Sequence, residues 1–213
     1  MTGEAGRRAG LWVLVVSIFC LGGCAGKGEV INLDLTVKPM AQEVAPDETV
    51  KIVVEPLQDQ RPDQTRLGIR THLTGGATYF NVPGGKTSEA VARTLADYLR
   101  YKGWQVGFQT AGLTPAEGKT DILVSGTIRE LWATAKSRFL STKMEVKSSI
   151  VVRAQNNVDG SVASITLDGA ASDTVWFFTQ TKLQDLVNSV LKDSYHKLMM
   201  DTRIENRAWR LRE

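Results

Sequence analysis

Lys143-Met144-Glu145-Val146-Lys147-Ser148-Ser149-Ile150-Val151-Val152-Arg153-Ala154 sets the architecture of this chain. Met144, Val146, Ile150 and Val152 fall on one face, and Lys143, Glu145, Lys147 and Arg153 on the other. That period of two predicts a strand with one face in a core. Asn156-Asn157-Val158-Asp159-Gly160 follows, rich in the residue types that accept positive φ in a hairpin turn. Ser164 to Ala171 then reads as the returning partner. Upstream, Asp121 to Ala135 reads as a long strand with Ile122, Val124, Ile128 and Trp132 on a shared face. Consecutive strands joined by short turns pair antiparallel, so these three predict a meander.

Helical periods flank it. Lys182 to about Arg203 places Leu183, Leu186, Val187, Val190, Leu191 and Leu198 on one side. Ser88 to Lys102 carries the stripe Val91, Leu95, Tyr98 and Leu99. Thr87 or Ser88 suits its cap, Glu89 its positive end and Gly103 its stop. Trp104 to Gln109 predicts a strand. So do Ile31, Leu33, Leu35 and Val37, and again Val50, Ile52 and Val54, with a loop bracketed by Pro39 and Pro46 between them. Residues 56–87 hold Gly68, Gly75, Gly76, Gly84 and Gly85 with Pro62 and Pro83. Thirty structureless residues are out of character for a compact domain, so Leu67–Leu73 and Ala77–Val82 are expected as a hairpin around Gly75-Gly76. The whole order predicts a two-layer α+β domain, a mainly antiparallel sheet with two helices on one face.

The N-terminus has a different chemistry. Arg7-Arg8 precedes the apolar run Leu11 to Phe19, then Leu21-Gly22-Gly23-Cys24. A basic stretch, a run shorter than the roughly 20 residues of a spanning helix, and small residues at its exit describe a secretory signal. Leu21-Gly22-Gly23-Cys24 resembles the lipobox of bacterial lipoproteins. The resemblance implies a diacylglycerol on the Cys24 sulfur, cleavage before Cys24 and acylation of the new amine. Two or more acyl chains hold a protein on a membrane where one binds reversibly. Arg7-Arg8 also fits a twin-arginine route, although the general secretory route accounts for the rest of the segment. Cys20 and Cys24 are the only cysteines. Loss of Cys20 with the signal and lipidation of Cys24 leave no thiol for a disulfide, a metal or a nucleophile.

The expected organisation is a cleaved signal at 1–23, a lipidated N-terminus and short tether at 24–30, one periplasmic domain at 31–203 and a basic tail at 204–213. The mature chain has 190 residues, 24 basic and 22 acidic side chains, a balance that argues against nucleic acid. The tail carries Trp209 among Arg207, Arg210 and Arg212. It reads as a solvated helix end or as a segment at a membrane surface.

The search for chemistry comes back empty. Gly84-Gly85-Lys86-Thr87 suggests a phosphate loop, but Phe80 stands where the first glycine belongs. His72 and His196 are the only histidines and make no metal-ligand pair, and His196 falls among solvated positions of its helix. Asp59 and Asp63 are imaginable as an acid/base pair for a glycan hydrolase, yet acidic residues in such a turn are far more often solvated turn formers. No enzyme activity, cofactor or metal is expected.

Val53-Val54-Glu55-Pro56-Leu57-Gln58-Asp59-Gln60-Arg61-Pro62 and then Leu67-Gly68 resemble a hallmark of the YajG-like bacterial lipoproteins. There a strand runs into Asp–X–Arg and an aliphatic–Gly pair. The resemblance continues through Gly103-Trp104-Gln105-Val106 and Asp121–Glu130, covering about residues 29–200. It implies an outer-membrane lipoprotein without known enzymatic activity. It assigns Asp59, Arg61 and Gly68 no chemistry, and a role in fixing the turn is the expectation for them. The element plan is also similar to the lipopolysaccharide-assembly lipoprotein and to auxiliary lipoproteins of lipid-transport systems, a fold-level likeness. Ala25 after the modified Cys favours the outer membrane by analogy. The leading expectation is a lipid-anchored, non-catalytic binding or assembly module at the outer membrane, facing the periplasm, with envelope proteins as partners. The alternative is an auxiliary subunit of a lipid or lipopolysaccharide transport system; a cell-wall glycan enzyme comes last.

Overall fold

A computed structural model of the chain describes residues 28–38, 50–109 and 120–212. The signal segment, the lipobox with Cys24 and the Pro39–Pro46 loop lie outside the described residues. The elements are β1 (Glu29–Asn32), β2 (Lys51–Val54), β3 (Gln58–Asp59), β4 (Gly68–Thr71), β5 (Ala77–Asn81), a single 3-10 turn (Pro83–Gly85), α1 (Thr87–Tyr101), β6 (Gln105–Phe108), β7 (Ile122–Arg138), β8 (Ser141–Asn156), β9 (Val162–Val175), α2 (Gln180–Asp201), β10 (Thr202–Glu205) and β11 (Ala208–Leu211).

The spine is β7. One edge pairs antiparallel with β8 along its whole length, and β8 pairs antiparallel with β9. The other edge receives β2, β3 and β4 in succession, all parallel. β2 also pairs parallel with β6, and β5 pairs antiparallel with β4 and parallel with β1. The sheet is therefore mixed. The expected meander and the Gly75-Gly76 hairpin are antiparallel, whereas the N-terminal strands join in parallel. The physical reason is α1: a helix between β2 and β6 supplies the crossover that parallel neighbours need.

Both helices cover the same sheet face. α1 buries Val91, Leu95, Tyr98 and Leu99, and α2 buries Leu183, Val187, Val190, Leu191 and Leu198. Each such side chain contributes about 1.5–3 kcal/mol on full burial. The helices meet at Tyr98 and Tyr195, whose ring centroids lie 5.6 Å apart. The Tyr195 hydroxyl sits 2.9 Å from Thr94 Oγ1 and donates to the Val91 carbonyl. At Gly169 of β9 a Cβ would stand 3.0 Å from Val190 Cγ1, so this glycine lets α2 approach. The expected cap of α1 does not form: Lys86 occupies the N-cap without a side-chain bond, and Thr87 Oγ1 is buried without a hydrogen-bond partner.

Two segments depart from their expected form. Residues 31–37 keep their alternation, with Leu33 and Val37 buried, but only Glu29–Asn32 is a strand. Beyond it the backbone pairs with side chains of α2. Gln180 Nε2 donates to the Asn32 carbonyl, the Asp34 N–H to Gln184 Oε1, and the Thr36 N–H to Asn188 Oδ1. Four helical residues rise about 6 Å and two extended residues about 6.6 Å, so the two ladders stay in step.

The C-terminal segment is not a solvated tail. Residues 202–211 form the antiparallel β10–β11 hairpin, and Trp209 is 1% exposed. Its ring packs 5.8 Å from that of Trp104. Asn156 is buried at the end of β8; its Oδ1 accepts from the Trp209 N–H at 2.7 Å and its Nδ2 donates to the Trp209 carbonyl at 3.0 Å. One amide thus does for β11 what a neighbouring strand would do.

Candidate interaction surfaces

Asp59, Arg61 and Gly68 are brought together where β3 leaves β7 and β4 rejoins it. β7 is irregular there, with a register shift between Ile128 and Glu130. The loop after β3 fills the gap, and Arg61 supplies the missing bonds. Its backbone N–H and Nε donate to Asp59 Oδ1, and Nη2 to Asp59 Oδ2 at 2.8 Å. Nη1 donates to the carbonyls of Arg66 and Leu131, and Nη2 reaches the Gln64 carbonyl. All five guanidinium N–H groups are engaged. The side chain is 2% exposed, so it offers no donor to a ligand. Gly68 lies against β7, where a Cβ would stand 1.9 Å from the Ala133 carbonyl oxygen. These three residues fix a junction.

A cleft of about 380 Å³ opens beside that junction, lined by Pro62, Asp63, Leu131 and Trp132 with Arg129 and Glu130. Asp63 accepts from the Thr65 hydroxyl and N–H. The Thr65 hydroxyl, foremost, holds its carboxyl below the ordinary carboxylate range. A general acid needs the opposite shift. Both Asp59 oxygens face the guanidinium, so that carboxylate is taken up by the Arg61 pair. His72 Nε2 lies 2.8 Å from Thr78 Oγ1 within the β4–β5 hairpin, and His196 is exposed on α2. Among the described residues no group of three His, Cys, Asp or Glu side chains could hold a metal. Gly84 and Gly85 have φ of 75° and 69°, and serve the turn into α1.

Asp121 was missed as a structural anchor. It is buried beside the end of β2, where Oδ2 accepts from the Lys51 N–H and Oδ1 from Arg207 Nη2. Burial opposes its ionisation, and the Lys51 N–H with the Arg207 guanidinium outweighs that, leaving the carboxyl below the ordinary range.

The surface with most to offer is the far edge of β9. This strand pairs with β8 over 14 consecutive residues without a bulge, and no described strand pairs with its other edge. Natural edges are guarded by lysines, prolines, bulges or shortness. Val162–Val175 has no lysine, arginine or proline, and its only charges are Asp168 and Asp173. Ser164, Thr166, Ala170 and Ser172 point away from α2 and are exposed. Among the described residues no helix is long and apolar enough to cross a membrane.

No known family profile matches the chain, and no curated protein matches it by sequence. Solved structures do. A Xanthomonas campestris protein of the family DUF330 superposes with a TM-score of 0.53 at 9% identity, over 80% of this chain and 92% of that one. At that identity the match speaks for the fold alone. A lipoprotein from Neisseria meningitidis overlaps at a TM-score of 0.32 and 17% identity, over 68% of this chain and 96% of the other. A putative neuraminyllactose-binding hemagglutinin homolog from Helicobacter pylori overlaps at 0.37 and 11%, over 76% and 88%. Those two scores are too low to carry an argument. The chain thus shares an α+β fold with a bacterial protein, while the YajG-like resemblance rests on sequence pattern alone.

Proposed function

We propose that this chain is a lipid-anchored, non-catalytic module of the bacterial envelope that binds protein partners by strand addition. The observation that carries the reading is the free edge of β9, long, regular and unguarded. An extended partner segment there gains main-chain hydrogen bonds along 14 residues, with side chains on alternate faces for selectivity. The lipobox at Leu21-Gly22-Gly23-Cys24 supplies the anchor, and Ala25 favours the outer membrane with the domain in the periplasm. A membrane-tethered domain meets envelope partners at high effective concentration, so a modest edge suffices. The mutual engagement of Asp59 and Arg61 supports a structural role for that pair over glycan hydrolysis.

The test places a photoreactive benzoylphenylalanine at Thr166 or Ala170 in cells, with Lys197 on the exposed side of α2 as control. Envelope-protein adducts from the two edge positions, absent at Lys197 and lost when Ser164 and Ser172 become lysines, are expected. Adducts no stronger at the edge than at Lys197 refute strand addition.

A further inference from the structure

We propose that one end of the sheet is a membrane-contacting tip that dips its apolar side chains into the lipid interface beside the anchor. This rests on the lipid-anchored reading above. Leu73, Phe139, Leu140, Trp176 and Phe177 are large and apolar, yet between 62% and 85% exposed. Strand register gathers them. Phe139 and Leu140 form the turn between β7 and β8, closed by the Arg138–Ser141 pair. Val175, the residue before Trp176, pairs with Thr142 next to that turn. Thr71, two residues before Leu73, pairs with Lys136 on β7. All five therefore lie at the same end.

The turn itself goes against local preference. A two-residue hairpin loop favours Asn-Gly or similar pairs, because positive φ is needed and water surrounds it. Here Phe-Leu stands in that place, with Leu140 at φ 61°. A bulky residue in the left-handed region is an outlier of the kind that clusters at functional sites. The opposite end of β8 turns through Asn157, Val158, Asp159 and Gly160, where Val158 is the exposed apolar side chain and the other three are of the expected turn type. The two ends of one strand thus differ in how much apolar surface they expose: one small aliphatic side chain against two large ones in the turn and three more beside it.

The chain itself names the occupant. The Gly28 N–H donates to the Ala77 carbonyl, and Glu29 pairs with Thr78. Ala77 in turn pairs with Thr71, so the N-terminus enters the domain at the tip's end of the sheet. Cys24 is four residues before Gly28, a reach of at most about 14 Å even when extended. The headgroup layer of one leaflet is about 5–8 Å thick. A domain on so short a tether keeps this end within contact of the bilayer. Trp, Phe and Leu are the side chains that settle at that interface. Lys136 and Arg138 on β7 add positive charge toward anionic headgroups.

The experiment uses the protein extracted from membranes of its expressing cells and reconstituted in vesicles of phosphatidylethanolamine and phosphatidylglycerol. Because processing and lipidation leave no other thiol, Phe139→Cys, Phe177→Cys and, at the opposite end, Val158→Cys each give one nitroxide site. Collision with dissolved oxygen is compared with collision with a water-soluble nickel chelate, and intact mass reports the lipid. The expected result is an oxygen-to-nickel ratio at 139 and 177 several times that at 158. Equal ratios at all three on a lipidated protein overturn the tip and leave the anchor standing. Labels at 139 and 177 shielded from both probes also overturn it, because protein then covers the tip. If the mass shows no lipid, the anchor fails and flotation decides: a chain that floats with the vesicles, and stops floating when Phe139, Trp176 and Phe177 become serines, upholds the tip. A chain that never floats overturns it.

Discussion

At the scale of single residues, Arg61 is a dense knot, with all five guanidinium N–H groups engaged. Its guanidinium replaces a missing strand across the irregular part of β7, joining Asp59, Arg66 and Leu131. Arg61→Ala strands the Asp59 carboxylate, which is 13% exposed, and frees the carbonyls of Gln64, Arg66 and Leu131. Breaking such a pair from one side costs about 3–5 kcal/mol, and a domain of this size loses about 2–4 °C of Tm per kcal/mol. Arg61→Lys rescues little, because an ammonium cannot reach five acceptors in a fork. Thermal melts of the two variants check this. Asp121 gives a pH prediction. Its folded pKa lies below the ordinary 3.8, so its contribution is present above that value and disappears as pH falls through the folded pKa. In a Tm-against-pH series, Asp121→Asn is expected to lower Tm at neutral pH and to flatten the acid limb below about pH 5. The motif Asp–X–Arg was legible in the sequence, and so was a turn. Asp121 was not, because its partners Lys51 and Arg207 lie 70 and 86 residues away.

At the scale of elements, paired glycines marked the short hairpin, and hydrophobic periodicity located both helices and the meander, apart from Trp132, which the register shift after Ile128 sets opposite Lys147 on the other face. Periodicity failed where polar side chains do the pairing. Gln180, Gln184 and Asn188 are polar and add nothing to an apolar stripe, yet they hold an extended segment 148–154 residues away. The tail failed for the same reason: its arginines suggested solvent, whereas Asn156 and Trp104 make a seat for Trp209. Gln184→Ala with Asn188→Ala removes the acceptors of the Asp34 and Thr36 N–H groups. Each exposed bond of this kind is worth about 1 kcal/mol, so amide exchange at residues 34 and 36 should speed about fivefold or more, with α2 itself unchanged. Unchanged exchange would mean that Leu33 and Val37 alone hold the segment.

At the scale of the whole molecule, two features have opposite relations to the sequence. The α+β class follows from element order, but the parallel joining of β2, β3 and β4 to β7 does not, since sheet order depends on contacts between distant strands. The open edge of β9 was foreseeable only as a strand; which of its edges no described strand pairs with emerges from the assembled sheet. The tip likewise assembles from residues near 73, 139 and 176 that no local pattern joins. Both proposed roles depend on the proposed anchor, because a free edge and exposed apolar side chains on an untethered protein are hazards, whereas on a tethered one they are oriented surfaces. Intact mass spectrometry of the protein extracted from membranes of its expressing cells tests that claim most directly. The expected species begins at Cys24 and is heavier than its polypeptide by a diacylglycerol and an additional acyl group, with Cys24→Ser abolishing the increment. A polypeptide of unmodified mass, or one processed at another residue, contradicts it.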